Sequence, residues 1–452
     1  MPKIKIPLFV RNLNLTSSRI IFLGFAVPLI VGAILLNLPF SSSTGESVGW
    51  LNALFTSTSA ICVTGLVVID TGSDFSHFGQ IVILFLIQLG GLGFMTYGVL
   101  IAVIMGRKIG LKERMLIQQS ANAVTPQGVV RLSLNIFLIS IIVETVGAVI
   151  LALRWAGEMG PARAIYYGVF HSISAFNNAG FALWPDSLSR FVGDPLINIV
   201  ISLLFIIGGI GFIVILDLYR KRRWRDLSLH TKIVLITSGF LCLAGFLIVF
   251  MIELFNSRTF GTLSWKEKIW AGYFQGVVTR TAGFNSIDIG AMLPATQFFM
   301  IFLMFIGASS GSTGGGIKTT TFTVLLLSII ATVKGSTDVQ FLKKRIPQEI
   351  VFRALAVMTI SMGVVLTATF LLTITEYPEH NNFLALLFEA TSAFGTVGMS
   401  MNLTAGLSDA GKCIIIITMF IGRLGPLTLA FALAQKSVKQ KYRYPEDKLL
   451  IG

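Results

Sequence analysis

Apolar runs long enough to cross a bilayer recur along this chain, and the polar positions between them fall in short clusters. A helix needs about 20 mostly apolar residues to cross the hydrocarbon core. Read by length, the runs predict eight spans, at residues 19–40, 79–105, 129–153, 195–219, 231–254, 296–332, 350–374 and 411–434. The sixth is too long for one straight helix and is interrupted by the glycine-rich stretch 307–316, which stays helical only at a high propensity cost. It reads as a broken helix.

Between each odd span and the next even one lies a semi-polar segment too short to be a crossing. The four segments read FTSTSAICVTGL from Phe55, FHSISAFNNAGF from Phe170, FQGVVTRTAGF from Phe274 and FEATSAFGTVGM from Phe388. Each opens on an aromatic and closes on a glycine, at offset ten in the first, second and fourth (Gly65, Gly180, Gly398) and nine in the third (Gly283). A second signal follows in the same register: Gly90-Gly91-Leu92-Gly93-Phe94, Gly208-Gly209-Ile210-Gly211-Phe212, the stretch from Gly307, and Gly422-Arg423-Leu424-Gly425-Pro426. Two independent features that keep one register predict four homologous modules. In the GGLG and GGIG stretches the glycines are open to two readings, close helix packing or a kink.

The expected fold is therefore an all-α polytopic membrane protein whose four tandem helix, pore-loop, helix repeats form a pseudo-fourfold cation pore in one chain. The repeats fall at 19–105, 106–219, 220–333 (with the loop 307–321) and 334–435, between an N-terminal arm 1–18 and a tail 436–452, both cytoplasmic. Non-helical backbone at membrane depth is tolerated where it lines a cavity. Glycine lets carbonyls turn toward the axis and replace the water of a dehydrated cation. The short helices would aim their negative C-terminal ends at the same place.

Composition and charge sharpen this picture. With 54% hydrophobic and 12% charged residues, against about 25% charged in an average soluble domain, a soluble globular core is excluded. The formal charge of +14 would suit nucleic acid, but the cations sit in short clusters between apolar runs, as the positive-inside rule expects. Of 35 Lys and Arg, 25 fall in the N-terminal arm (with Lys3, Lys5 and Arg11), the loops after spans two, four and six (including Arg107, Lys108, Lys112 and Arg114, then Arg220 to Arg225, then Lys343 to Arg345) and the tail. Those segments should be cytoplasmic, with anionic lipid or a protein partner facing them. No small-residue cleavage site follows the basic N-terminus, so the first run should stay as a span. Cys62, Cys242 and Cys413 lie among apolar residues and read as small core residues, without disulfide or metal. A G-x-S-x-G pattern spans Gly307 to Gly311 but lacks a preceding strand, and Ile317 breaks the P-loop order before Lys318. No enzyme is expected.

Taken together, VTGL at Val63, FNNAGF at Phe176, TRTAGFN at Thr279, FGTVGM at Phe394, GSTGGGIKTTTF at Gly311 and IGRLGPLT at Ile421 resemble the Trk/Ktr/HKT superfamily of potassium transporters, especially its bacterial Ktr-type membrane subunit. The resemblance covers essentially the whole chain. It implies filter residues Val63, Thr64 and Gly65; Asn178, Ala179 and Gly180; Thr281, Ala282 and Gly283; and Thr396, Val397 and Gly398. Glycine in all four loops implies potassium preference, with sodium possible as a second ion. The resemblance also implies an intramembrane gating loop (Gly307, Ser309, Ser310, Gly311, Ser312, Thr313, Gly314, Gly315, Gly316), with Lys318 and the pore-lining Arg423 beside it. A homodimer in the bacterial plasma membrane is implied, regulated by a separate cytosolic ring that binds nucleotide. No covalent cofactor is expected. The rival reading is a secondary symporter that couples potassium to sodium or protons.

Acids recur after three loops, Asp70, Asp186 and Asp288, with Asn402 in the fourth place. They form a candidate negative vestibule that would concentrate cations, or are solvated loop residues. Glu144, inside the third span, would bind an ion or bond a neighbouring helix.

Overall fold

The computed structural model describes residues 17–106, 109–110, 114–115, 118, 128–336, 338–377 and 382–425. The expectations for residues 1–16, for Arg107, Lys108 and Lys112, and for 426–452 lie outside the described residues.

Four modules succeed one another. The first holds α1 (Ser17–Leu36), α2 (Trp50–Cys62), α3 (His77–Leu92) and α4 (Phe94–Ile104). The second holds α5 (Val129–Met159), α6 (Pro161–Phe176), α7 (Pro195–Ile210) and α8 (Phe212–Arg220). The third holds α9 (Leu229–Glu253), α10 (Trp265–Val278), α11 (Pro294–Phe305) and α12 (Thr319–Val333). A small antiparallel hairpin, β1 (Val339–Phe341) with β2 (Lys344–Ile346), leads to the fourth: α13 (Gln348–Thr375), α14 (Phe383–Gly395) and α15 (Asp409–Leu424). This is the expected all-helical, four-module membrane architecture.

The first helix of each module, α1, α5, α9 and α13, is long and apolar enough to cross a membrane alone. Among the second crossings the sequence predicts a break only in the sixth span, and the structure breaks more of them. The chain bends by 96° between α3 and α4 and by 93° between α7 and α8, and in module three the apolar helices α11 and α12 are separated by a loop. Gly93, Gly211 and Gly425 stand three residues after Gly90, Gly208 and Gly422 and share one backbone conformation, φ 79°, 97° and 81° with ψ 138°, 136° and 137°. Residues with a Cβ rarely take that conformation, and at Gly93 and Gly211 it coincides with the bend. The breaks are thus not confined to module three; that module carries the long one.

Local sequence starts several of these helices cleanly. Ser76, Asp194 and Ser408 cap α3, α7 and α15 through their side-chain oxygens, and Ser264 with Glu267 forms a capping box on α10. The aromatics that open the re-entrant segments, Phe55, Phe170, Phe274 and Phe388, are all at most 1% exposed. They anchor the short helices in the shared core of the modules.

The cysteines separate. Cys62 is buried and Cys242 half-buried, but Cys413 is exposed on the outer face of α15, which corrects its reading as a core residue. A helix in a bilayer hides only one face from lipid, so apolar neighbours in sequence do not imply an interior position.

Candidate ion pore and gate

Each short helix ends in a tight turn that redirects the chain outward. Val63, Asn178 and Thr396 take left-handed φ of 57°, 59° and 49°, a conformation that costs a side-chain-bearing residue about 1–2 kcal/mol. The next residues close the turn with backbone bonds to a residue five earlier: Thr64 to Ser59, Ala179 to Ser174 and Val397 to Ser392, at 2.8, 2.8 and 2.9 Å. In module three Ala282 bonds Val278 instead, one residue closer, at 3.1 Å. That is the structural form of its one-residue deletion.

The serine at that corner was not singled out in the sequence, although it stands four residues after the opening aromatic in three modules. Ser59 and Ser392 accept the amides of Gly65 and Gly398 at 3.0 and 3.1 Å, and Ser174 donates to the carbonyl of Phe181 at 2.8 Å. Val278 replaces it in module three and supplies no hydroxyl.

The four glycines close a ring. A Cβ on Gly65 would strike the carbonyl of Ala179, one on Gly180 that of Ala282, one on Gly283 that of Val397, and one on Gly398 that of Thr64. Each glycine therefore lies against the next module's loop in the order one, two, three, four, one. All four have positive φ, between 71° and 92°. The loops that form the ring follow directly on the C-terminal ends of α2, α6, α10 and α14, whose partial negative charges favour a cation nearby.

Outside the ring, a cavity of about 420 Å³ is lined by all four glycines together with Asp70, Ser400 and Asn402. The three vestibule acids are not equivalent. Asp70 lines the cavity but also holds its own turn through Gly72 and Ser73. Asp186 is paired with Arg190 at 2.6 Å, and Asp288 accepts from Asn402 at 3.1 Å.

Inside the ring lies the break of module three. The backbone of Ile306 pairs in parallel with that of Ile317, so the chain between them folds back on itself. Its tip is tied to the inner ends of the filter: Asn178 Nδ2 donates to Thr313 Oγ1 at 2.6 Å and the Gly315 amide to Thr396 Oγ1 at 2.9 Å, while Thr281 Oγ1 donates to Asn178 Oδ1 at 2.9 Å and so links the second and third filter loops. The side chains of Asn178 and Thr396 are thus engaged by the loop, and that of Thr281 by Asn178. Its flank is tied to module two, where the amides of Ser309 and Thr313 bond the carbonyls of Gly209 and Gly208 at 3.0 and 3.2 Å, and the Phe212 amide bonds Gly311 at 2.9 Å. Ser310 and Ser312 close it internally, on Thr320 and on the carbonyl of Ser309, at 3.1 and 2.6 Å.

Two cations face this loop. Arg423 donates to the carbonyls of Thr313 and Gly90, and lies 5.9 Å from the ring centre of Phe25. Lys318 turns back on the loop, with Nζ 2.8 Å from the carbonyl of Gly314 and 3.4 Å from that of Gly315. The carbonyls of a loop that lacks helical partners need such donors. Arg280, behind the third filter loop, makes long contacts to Ser238 and Cys242, at 3.4 to 3.5 Å.

Glu144 bonds neighbouring helices. Its carboxylate accepts from Gln88 at 2.9 and 3.1 Å and from Asn177 at 3.2 Å, joining modules one and two behind Asn178. A further regularity escaped the sequence reading: Gln80, Asn198, Gln297 and Lys412 each stand ten residues before Gly90, Gly208, Gly307 and Gly422. The first three donate to carbonyls of the outer loops, such as Thr71, Phe191 and Ile289, while Lys412 bonds Asn52.

The comparisons agree with this geometry. The family model TrkH, cation transport protein, matches residues 17–442. The chain is 48% identical over 443 residues to the Ktr system potassium uptake protein B of Bacillus subtilis, covering 98% of each, and 38% identical to the potassium/sodium uptake protein NtpJ of Enterococcus hirae, covering 97% of this chain and 98% of that one. In fold it matches the crystal structure of the potassium transporter TrkH from Vibrio parahaemolyticus, with a TM-score of 0.73 at 19% identity, over 94% of this chain and 86% of that one. The chain belongs to the TrkH family of cation transport proteins.

Proposed function

We propose that this multi-pass membrane protein takes up potassium through the glycine ring, and that the loop beneath the ring opens and closes the path. The observation that carries the reading is the closed ring itself: four backbone strands, one from each module, each glycine against the next and each strand following the C-terminal end of a short helix. An ion leaving the outer cavity exchanges water for backbone carbonyl oxygens, and the helix ends favour positive charge. The related proteins whose names carry potassium uptake supply the ion, and the glycine at position 65 fits potassium over sodium by the family resemblance.

Below the ring, the loop from Gly307 to Thr321 fills the path and Arg423 adds a fixed positive charge to it. A cation at membrane depth is costly to place and opposes the passage of another cation. Movement of the loop away from Asn178 and Thr396 opens the way. The control for that movement comes from outside this chain: the relatives' description as a system supports a partner subunit, which by the family resemblance is a cytosolic ring of nucleotide-binding subunits docked on the basic cytoplasmic loops of a homodimer. Both termini then face the cytoplasm.

The test is isotope uptake into vesicles that hold the purified protein, with potassium and sodium varied separately. Saturable uptake that follows the potassium gradient, with sodium a weak competitor, is the expected result. Uptake that runs uphill only when a sodium or proton gradient is supplied would instead establish a symporter.

A further inference from the structure

The residue directly after the aromatic that opens each re-entrant segment differs in all four modules: Thr56, His171, Gln275 and Glu389. All four are buried, at 1%, 0%, 0% and 0% exposure. Three of them reach the chain after it has passed the glycine and is returning outward. The amide of Leu183 donates to His171 Nε2 at 3.3 Å, and the amide of Ser286 donates to Gln275 Oε1 at 3.4 Å. Leu183 and Ser286 both stand three residues past their glycines, so the two bonds are equivalent.

In module four the same position holds a carboxylate. Glu389 accepts the Ser400 hydroxyl at 2.7 Å and the Thr404 hydroxyl at 2.5 Å. The Ser400 oxygen in turn accepts the amides of Leu403 and Thr404, at 3.1 and 3.4 Å. Ser400 is two residues past Gly398 and lines the outer cavity. In module one the position is Thr56, whose hydroxyl has no partner among the described residues.

Each filter strand is therefore held at its inner end by the turn that closes the short helix. In three modules it is held again farther out by a side chain from the middle or later turns of the same helix. A strand fixed at both ends to one rigid helix keeps its carbonyls at a set spacing, and spacing is one of the variables by which oxygen rings separate ions of different size. The contacts also pass between modules, since Gln275 Nε2 lies 3.9 Å from the sulfur of Met399, directly after Gly398.

We propose that Glu389, His171 and Gln275 are positioning residues for ion selection, which brace three of the four filter strands from behind, and that Thr56 leaves the first strand unbraced. Glu389 is the strongest of the three because both of its oxygens are engaged by hydroxyl donors. The proposal rests on the reading of the glycine ring as the selecting element.

The test is rubidium uptake into vesicles under competition by potassium and by sodium, normalised to folded protein in the membrane. Glu389→Ala is expected to lower potassium-over-sodium discrimination about three- to tenfold, the scale of losing one or two buried bonds, and to raise the half-saturating concentration more than it lowers the maximal rate. Glu389→Gln keeps one acceptor oxygen in place and should retain most of the discrimination. The double variant Ser400→Ala with Thr404→Val removes the same bonds from the loop side and should match Glu389→Ala; it decides the matter alone if that variant does not fold. A purely structural role would lower uptake without changing the ion ratio, and an unchanged ratio in both variants would overturn the proposal. Gly65→Ser serves as the control. If it shifts the ratio while the others do not, only the brace is wrong, and if it too leaves the ratio unchanged, the filter reading falls with it.

Discussion

Arg423, near the end of α15, donates its guanidinium protons to the carbonyl of Thr313, at the tip of the loop that interrupts module three. The same group reaches Gly90, at the break of module one. One side chain thus ties three modules together below the filter, and it does so with a charge.

Removing that charge should loosen the path. Charge-assisted bonds contribute about 1.5–3 kcal/mol each, and every 1.4 kcal/mol shifts an equilibrium about tenfold. If these bonds hold the loop closed, Arg423→Ala raises ion flux in the absence of any partner by about tenfold or more. Flux measured in vesicles at equal protein content checks this, and an unaltered rate would remove Arg423 from the barrier.

The loop's other anchor lies in the filter. Asn178 and Thr313 are 135 residues apart in sequence and bond at 2.6 Å. Thr313→Val keeps the shape and deletes that hydroxyl, so the tip loses its tie to the second filter loop while Arg423 keeps its own tie to the Thr313 backbone. An increase in flux smaller than that of Arg423→Ala is expected, about three- to tenfold for one neutral buried bond. Equal flux in Thr313→Val and the unaltered protein would show that the bond does not hold the gate.

These two contacts also mark how far the sequence could be read. The glycines, their register and the break at 307–316 are local patterns, and each repeats within a window short enough to compare by eye. The four modules and the positions Gly65, Gly180, Gly283 and Gly398 were legible for that reason. The partners of Asn178 and Arg423, and Gln88 on Glu144, come from other modules and depend on how the repeats close around an axis, which no local pattern encodes. The kinks at Gly93 and Gly211 sat in view, yet a glycine in an apolar run serves packing or bending equally well until the neighbouring atoms are known. Gln80, Asn198 and Gln297 escaped because a single amide inside an apolar run is a weak signal; its tenfold spacing from the next glycine becomes visible only when the modules are aligned.

The first filter glycine offers a test of ion choice. A Cβ on Gly65 would strike the carbonyl of Ala179 and lie 3.1 Å from the Cα of Gly180, and its φ of +92° already disfavours a side chain. Gly65→Ser must therefore displace the seam between the first and second loops. Discrimination between potassium and sodium should fall about tenfold or more, the effect of 1.4 kcal/mol at one site, while Gly45→Ser, in an open outer loop with nothing within 4 Å, leaves it unchanged. Competition assays on both variants read the difference directly.

Gly90 and Gly93 separate packing from bending within one motif. A Cβ on Gly90 would collide with the carbonyl of Ile61, at the end of the first short helix, whereas one on Gly93 would meet nothing within 4 Å. Gly208 and Gly422 stand in the same relation to the carbonyls of Phe176 and Phe394, so the close approach of the second helix to the short helix is built into three modules. Backbone against backbone cannot yield as a flexible side chain can, and overpacking of this kind destabilises by about 1–3 kcal/mol. Gly90→Ala should lower the thermal unfolding midpoint in detergent and reduce uptake in proportion to folded protein. At Gly93 the obstacle is φ of +79°, which alanine avoids by straightening the turn between α3 and α4. Because Arg423 bonds the carbonyl of Gly90 on that same segment, Gly93→Ala should alter flux per folded molecule more than it alters the unfolding midpoint. Equal effects of the two substitutions on the midpoint, with no change in flux per molecule, would show that the bend at Gly93 is structural and has no part in opening the pore.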